Sequence, residues 1–235
     1  MITIQIADLV IELHNRYSYV EELCREYRVE GKPVSFSVSA TEDEIDEELK
    51  IAGAPFPRAY AEATCLHRRI ARRLSEYDAF LLHSAVLSCD GEGYAFAARS
   101  GVGKSTHVGL WLKVFGERAK VVNGDKPILR KIDGKFYVYG TPWNGKERLG
   151  DNISCEMKAL CFLERGETNR ISEISADEAL VRLFSQVYLP EDAVASAATL
   201  DLLGEFMKQT RFYLLHCNME DEAAMVAYRG MNPTK

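Results

Sequence analysis

The 235-residue sequence has no long hydrophobic run, no clustered cysteines and no excess of basic residues. No apolar stretch approaches the roughly 18 residues that a membrane-spanning helix requires, so we expect no membrane partner. Lysine and arginine total 29 against 35 aspartates and glutamates, and the formal net charge of −6 argues against a nucleic-acid partner.

The six cysteines are spread along the chain and form no C-x-x-C pair, whereas a zinc site needs ligands at short spacing. Scattered cysteines are typical of reduced thiols in the cytosol. The first residues, MITIQIADLVIELHN, alternate apolar and polar side chains and lack the basic opening of a signal peptide. We therefore expect a cytoplasmic protein.

Hydrophobic residues make up 47% of the chain, enough for a sizeable core. We predict that residues 1–78 form a small accessory α+β region packed on the rest. Its predicted elements follow from alternation and from helical spacing: strands over 2–13 and 33–40, and helices over 18–27 and 58–77. Thr41 with Glu44 predicts a capping box that opens another helix, and GAPFP (53–57) predicts a break.

The segment AARSGVGKST at 97–106 has the spacing of a phosphate-binding loop. The apolar run YAFAA leads into it as a predicted strand, and THVGLWLKVFG follows at helical spacing and ends at Gly116. Strand, glycine-rich loop and helix is the context that a P-loop, or Walker A motif, requires; the alternative is a plain glycine-rich turn. Ala98 replaces the usual first glycine, and because alanine is small we expect binding to be retained.

Each residue type in this loop has a chemical purpose. Glycines let backbone N–H groups turn inward around a phosphate, and the dipole of the following helix also favours an anion. We predict that Lys104 reaches the β- and γ-phosphate oxygens and that the Ser105 hydroxyl binds Mg²⁺. The predicted nucleotide-binding residues are Ser100, Gly101, Val102, Gly103, Lys104, Ser105 and Thr106.

An acidic residue follows the next predicted strand, in the sequence AKVVNGD (119–125). The carboxylate that holds the metal ion in a P-loop protein normally lies at the end of such a strand. We therefore predict that Asp125 binds Mg²⁺, directly or through water; the alternative is that Asn-Gly only forms a turn.

Together, LLHSAVLSCDGEGYAFAARSGVGKST and VVNGDKPIL resemble the catalytic domain of the HPr kinase/phosphorylase family, whose nucleotide core is shared with ATP-dependent phosphoenolpyruvate carboxykinase. The matching residues are His83 and Ser84, Gly101 to Ser105, and Asp125. The resemblance covers about residues 79–145 and extends weakly through GTPWNGKERLGDN. It implies an α/β fold with a mixed, largely antiparallel sheet and a P-loop helix, with ATP and Mg²⁺ as cofactors. Residues 79–235 would then be the P-loop, kinase-like domain.

Two departures from the family pattern limit what the resemblance implies. Gly124 stands where the family has the first aspartate of a pair, thought to be the base that acts on the acceptor hydroxyl, and glycine cannot accept a proton. The glycine-rich signature of the phosphorylase reaction is not recognisable either, since LERG (163–166) is at most a remnant. We therefore predict neither phosphorylase activity nor HPr as the substrate.

Four residues are the predicted catalytic set: His83, Asp125, Glu147 and Arg148. The resemblance puts His83, on the strand before the hairpin, near the γ-phosphate, where an imidazole suits proton transfer. In the loop GTPWNGKERLGDN, Lys146 or Arg148 would neutralise charge on a transferred phosphoryl group and Glu147 would orient an acceptor. The alternatives are a structural histidine and a solvated polar turn.

Three functions fit these features. The first is an ATP-dependent kinase that phosphorylates a hydroxyl of a small molecule or of a protein serine, with the acceptor unidentified. The second is a non-catalytic nucleotide-binding module, regulatory or accessory, whose base was lost at Gly124. Carboxykinase chemistry ranks last, because the chain is short and shows no set of metal-ligand histidines. Assembly into a homo-oligomer stays open.

Overall fold

A computed structural model describes residues 1–52 and 56–233, which form two sheets and seven α-helices. The strands are β1 (Ile2–Ile6), β2 (Leu9–His14), β3 (Phe36–Ser39), β4 (Ala79–Leu81), β5 (Ala85–Cys89), β6 (Glu92–Ala97), β7 (Ala119–Asn123), β8 (Ile128–Ile132), β9 (Lys135–Tyr139), β10 (Ser154–Arg165), β11 (Arg170–Glu173) and β12 (Arg211–Cys217). The helices are α1 (Ser18–Leu23), α2 (Glu42–Ala52), α3 (Arg58–Arg73), α4 (Lys104–Phe115), α5 (Ala176–Leu183), α6 (Ala193–Gln209) and α7 (Glu222–Met231).

The N-terminal sheet has the order β1-β2-β3. The prediction of one strand over 2–13 is wrong, because β1 and β2 form an antiparallel hairpin that reverses at Ala7 and Asp8. Both turn residues have positive φ, 50° and 57°. Distant side chains hold this turn: Arg130 donates to the Ala7 carbonyl at 2.7 Å, and the Tyr139 hydroxyl donates to the Asp8 carboxylate at 2.5 Å.

The helices of this region follow the predictions more closely. The capping box is confirmed, since the Glu44 N–H donates to Thr41 Oγ1 at 3.2 Å and the Thr41 N–H donates to the Glu44 carboxylate at 2.8 Å. The helix predicted over 58–77 is α3 followed by a 3₁₀ turn, and α1 is shorter than predicted. Of the break predicted at 53–57, residues 53–55 lie outside the described residues.

The large sheet has the order β4-β8-β9-β10-β6-β5-β7, with β12 beside the C-terminal half of β10 and β11 beside β12. Among the strands described, six of its eight pairings are antiparallel, and β10 runs parallel to β6 and β12. The predicted α/β fold, with a mixed and largely antiparallel sheet, a P-loop helix and a small N-terminal α+β region, is therefore confirmed.

Three apolar cores hold the layers together. One face of the large sheet packs against α5 and α6, through side chains such as Leu183 and Phe206, and the other packs against α4 and α7, around Trp111. The N-terminal core also takes in Leu81 and Ile128 of the large sheet, so the N-terminal region lies against one end of that sheet. The division at residue 78 stays a prediction. Among the described helices, none combines the length and hydropathy needed to cross a bilayer.

Candidate functional site

The loop predicted to bind phosphate connects β6 directly to α4. Gly101 has φ 78° and Gly103 has φ 128°, conformations that residues with a Cβ rarely adopt. No side chain caps the N-terminus of α4, whose first amide groups are therefore open to an anion. Ala98 is not among the residues with positive φ, so its backbone does not require glycine.

Three charged or polar side chains converge beside this loop. Lys104 Nζ lies 3.4 Å from His83 Nε2 and donates to the Ala98 carbonyl at 3.3 Å. His83 Nε2 lies 3.2 Å from Asp125 Oδ1. The cluster therefore joins the P-loop lysine, an imidazole and a carboxylate at the N-terminus of one helix.

The surroundings of the cluster shift two pKa values. Burial lowers the pKa of Lys104, and the charge of Asp125 only partly opposes this. Burial alone would raise the pKa of Asp125, but the hydrogen bond from His83 and the charge of Lys126 outweigh it and hold that pKa below its usual value. Asp125 is consequently ionised at neutral pH, the form in which a carboxylate binds a metal ion.

His83 is not on a strand, contrary to the sequence prediction. β4 ends at Leu81 and β5 begins at Ala85, because β4 pairs with β8 while β5 pairs with β6 and β7 elsewhere in the sheet. His83 therefore lies in the crossing between them, where its N–H donates to the Gln186 carbonyl at 2.7 Å. The crossing still brings His83 to the P-loop, as the resemblance implies.

Asn123 positions Asp125, a role that the sequence analysis did not assign. Its Oδ1 accepts the N–H groups of Asp125 and Lys126 at 2.8 and 2.7 Å. Its Nδ2 donates to the carbonyl and hydroxyl of Thr141 at 3.1 and 3.0 Å, and both side chains are buried. The signal was present in the sequence, because asparagine before Gly-Asp favours this type of turn.

Gly124 is enclosed by the loop that follows β9. Its N–H donates to the Leu149 carbonyl at 2.8 Å. A Cβ at this position would lie 3.0 Å from the carbonyl oxygens of Asn144 and Leu149. An aspartate at this position, where the family has one, would therefore press against the backbone of that loop and require it to shift.

A cavity of about 460 Å³ lies over the cluster. It is lined by most of the predicted site residues, namely His83, Ser100, Gly101, Gly103, Lys104, Ser105, Thr106, Asp125 and Glu147, together with Gly124, Gly145 and Lys146. Two predicted residues lie elsewhere. Val102 lines two neighbouring cavities. Its N–H donates to the Arg99 carbonyl at 3.2 Å and so does not point into the cavity over the cluster. Arg148 lines a second cavity on the other side of Asp125.

The donor set suits a magnesium ion held jointly with phosphates. Ser105 and Asp125 line the same cavity and supply hard oxygen ligands. The described part of the chain contains no group of three or more His, Cys, Asp or Glu side chains arranged to hold a metal ion. Mg²⁺ commonly binds through one or two protein oxygens plus substrate phosphates, so these residues fit it.

Comparisons with known proteins add little to this geometry. A scan against protein-family models and a search of the curated proteins found no match. A search of solved structures found the Hpr(Ser) kinase/phosphatase from Coxiella burnetii, which is 10% identical with a TM-score of 0.36, over 63% of this chain and 94% of that chain. The fold assignment therefore rests on the topology of the chain itself.

Proposed function

We propose that this protein is a kinase that transfers the γ-phosphoryl group of Mg²⁺-ATP to a hydroxyl group of a small molecule or of a protein serine. The observation that carries the proposal is the convergence of Lys104, His83 and Asp125 at the open N-terminus of α4, in one cavity with the P-loop glycines. Positioning and charge stabilisation supply most of the catalysis in phosphoryl transfer, and this cluster offers both.

Each group has a role that follows from its position. Lys104 and the loop amides would hold the β- and γ-phosphates. Ser105 and Asp125 would hold Mg²⁺, which neutralises charge on the phosphate oxygens when bound. His83 or Glu147, both in the cavity wall, would receive the acceptor proton in place of the base that Gly124 lacks.

One observation favours a second function, a non-catalytic nucleotide-binding module. The chain has no side chain at position 124, where the resembling family has its base, and an aspartate there would fit only if the surrounding loop shifted. If neither His83 nor Glu147 replaces that base, the chain would bind nucleotide and report it to a partner without turning it over.

Calorimetric titration of ATP in the presence of Mg²⁺ tests the nucleotide site. We expect binding to the native chain and a loss of affinity of at least about tenfold in Lys104→Ala, because a charge-assisted phosphate contact is removed. Lys120→Ala is the matched control, since Lys120 is exposed on β7, away from the cavity. No heat with the native chain, or equal affinity in both variants, would refute the assignment of the loop.

Incubation with γ-labelled ATP, Mg²⁺ and cell extract separates the kinase from the module. The kinase transfers label to a metabolite or a protein, and transfer stops in Lys104→Ala. Nucleotide binding without any transfer would favour the module instead.

A further inference from the structure

A second cavity, of about 520 Å³, adjoins the phosphate cavity and is not used by the nucleotide in the function proposed above. Its walls come from α1 and α3 of the N-terminal region and from the loop over 142–148. Asp125, Gly145 and Lys146 line both cavities. A molecule at this end of the second cavity therefore lies next to the predicted position of the γ-phosphate.

The Asp125 carboxylate lies at the boundary between the two cavities. Its Oδ1 is 3.2 Å from Nε2 of His83, which lines the phosphate cavity. Its Oδ2 is 3.9 Å from Nζ of Lys126, which lines the second cavity. One carboxylate thus contacts a side chain of each cavity, as expected where donor and acceptor of a phosphoryl group meet.

The second cavity is positively charged. Four cationic side chains line it, Arg68, Lys126, Lys146 and Arg148, against the single carboxylate of Asp125. Arg68 is paired with Glu48. Lys146 and Arg148 have no carboxylate within 4.0 Å among the residues that the structure describes. These two unpaired cations favour a ligand with an anionic group.

His67 is a neutral polar residue in the wall of the second cavity. It is 6% exposed, lines the cavity, and stacks on Trp143 with ring centroids 4.7 Å apart. Burial, together with the charge of Lys126, lowers the pKa of His67 to about 3, so the imidazole is neutral. Its buried Nε2 has no hydrogen-bond partner among the described residues. Such an atom is costly to leave unpaired, and because Nε2 is itself buried, a bound polar group would pair with it only after a small shift of neighbouring side chains.

We propose that this second cavity binds the phosphoryl acceptor, and that the acceptor is a small hydroxyl compound carrying an anionic group. The inference rests on the kinase function proposed above. A small molecule is favoured over a protein serine because the cavity is concave and falls within the roughly 300–1,000 Å³ typical of small-ligand sites.

The reaction balances without further reactants. The acceptor hydroxyl oxygen bonds to the γ-phosphorus of ATP while the bond from that phosphorus to the β–γ bridging oxygen breaks. ADP leaves with the electron pair, and the hydroxyl proton passes to His83 or Glu147. Lys146, which lines both cavities, is placed to neutralise charge on the transferred group.

The test uses the full-length chain, Mg²⁺ and γ-labelled ATP as the probe, with cell extract divided into a protein fraction and a small-molecule ultrafiltrate. The ultrafiltrate is further separated on an anion exchanger. We expect label to move into small compounds that the anion exchanger retains. Treating that fraction with a phosphatase, and removing the phosphatase before the assay, distinguishes acceptors whose anionic group is a phosphate from those with a carboxylate. Only the phosphate-bearing acceptors lose their anionic group in this treatment.

Two variants tie the transfer to the cavity. Thr64→Phe fills it from α3, and we expect transfer to fall by about a hundredfold because the acceptor is displaced. Thr64→Val, of nearly equal volume, is the matched control and keeps transfer. His67→Phe retains the stack on Trp143 but removes Nε2, and should raise the acceptor KM by roughly tenfold. Affinity for ATP is unchanged in all three.

The outcomes separate the two proposals. Label confined to proteins, or transfer that survives both Thr64→Phe and His67→Phe, would overturn the acceptor site and leave the kinase standing. No transfer in any fraction, with ATP still bound, would overturn the kinase and the acceptor site together.

Discussion

Substituting Gly124 tests whether this chain can recover the aspartate of the family it resembles. The resemblance alone suggests that Gly124→Asp restores a base and raises phosphoryl transfer. The structure predicts the opposite. A Cβ would lie 3.0 Å from the Asn144 and Leu149 carbonyl oxygens and 3.3 Å from the Leu149 Cβ. All three distances are shorter than ordinary contact, and the two oxygens belong to backbone that cannot rotate away.

The loss of stability caused by a side chain at position 124 depends on which parts of the structure must move to admit it. Relief of the clash shifts the loop over 144–149 outward and weakens the bond from the Gly124 N–H to the Leu149 carbonyl, now 2.8 Å. Overpacking costs about 1–3 kcal/mol and a lost hydrogen bond about 1 kcal/mol, so Gly124→Ala should lower the free energy of unfolding by about 2–4 kcal/mol. That corresponds to a fall in Tm of roughly 10 °C for a chain of this size.

Urea unfolding and thermal melting measure this effect, alongside ATP titration and label transfer. Gly109→Ala is the matched control, since Gly109 is exposed within α4 and a Cβ there meets nothing within 4 Å. It should stabilise the chain by about 0.5–1 kcal/mol. If Gly124→Ala and Gly124→Asp unfold like the native chain, or if Gly124→Asp gains transfer, the steric argument is refuted.

Three further predictions concern stability to urea. Burial lowers the pKa of His107 from 6.5 to about 4, so neutral His107 contributes its full share of the free energy of unfolding above pH 6.5 and loses it as the pH falls toward 4, by roughly 2 kcal/mol at pH 5. His107→Gln should make the free energy of unfolding less dependent on pH between 6.5 and 4, and an unchanged dependence would contradict the prediction. Asp78 is exposed and has φ 55°, a conformation that glycine adopts without strain. Asp78→Gly should therefore stabilise the chain by about 0.5–1 kcal/mol and Asp78→Ala should destabilise it, and the reverse order would be evidence against backbone strain at this position. The buried Glu62 carboxylate accepts hydrogen bonds from the backbone N–H groups of Arg16 and Tyr17 at 2.6 and 3.0 Å. Glu62→Ala should therefore lower the free energy of unfolding by about 2–4 kcal/mol, and no change would show that water takes the place of the carboxylate.

Features set by neighbouring residues could be predicted from the sequence. The Thr41–Glu44 capping box and the glycine loop before α4 each depend on a few consecutive residues. Gly116 ends α4 with φ 54°, which glycine adopts without strain. That an acidic residue follows β7 is equally local, whereas the position of Asp125 beside the loop depends on the pairing of β7 with β5.

Features held by distant contacts could not be predicted. Alanine at φ 50° is unfavourable on its own, so nothing local indicates that β1 and β2 turn at Ala7. The turn persists because Arg130, 123 residues away, donates to the Ala7 carbonyl. The bend at His83 likewise results from where β4 and β5 find their partners, which local alternation does not encode.

The candidate site illustrates the same limit. The loop GTPWNGKERLGDN predicted a cluster of charges, but not that Glu147 and Arg148, adjacent in sequence, would line different cavities. Arg148 has φ 49°, a turn conformation that separates the two side chains. The residue types around the loop before α4 could therefore be predicted from the sequence, whereas their division between two cavities could not.

The glycine at position 124 connects these observations. Because it has no side chain, the loop over 144–149 lies directly against it, and Gly145 approaches so closely that a Cβ there would be 3.1 Å from that of Asp125. This contact places the loop between the two cavities, with Gly145 and Lys146 in both walls. An aspartate at 124 would separate the loop from Asp125 and open the partition. On this argument the missing side chain at position 124 shapes the wall that the two cavities share.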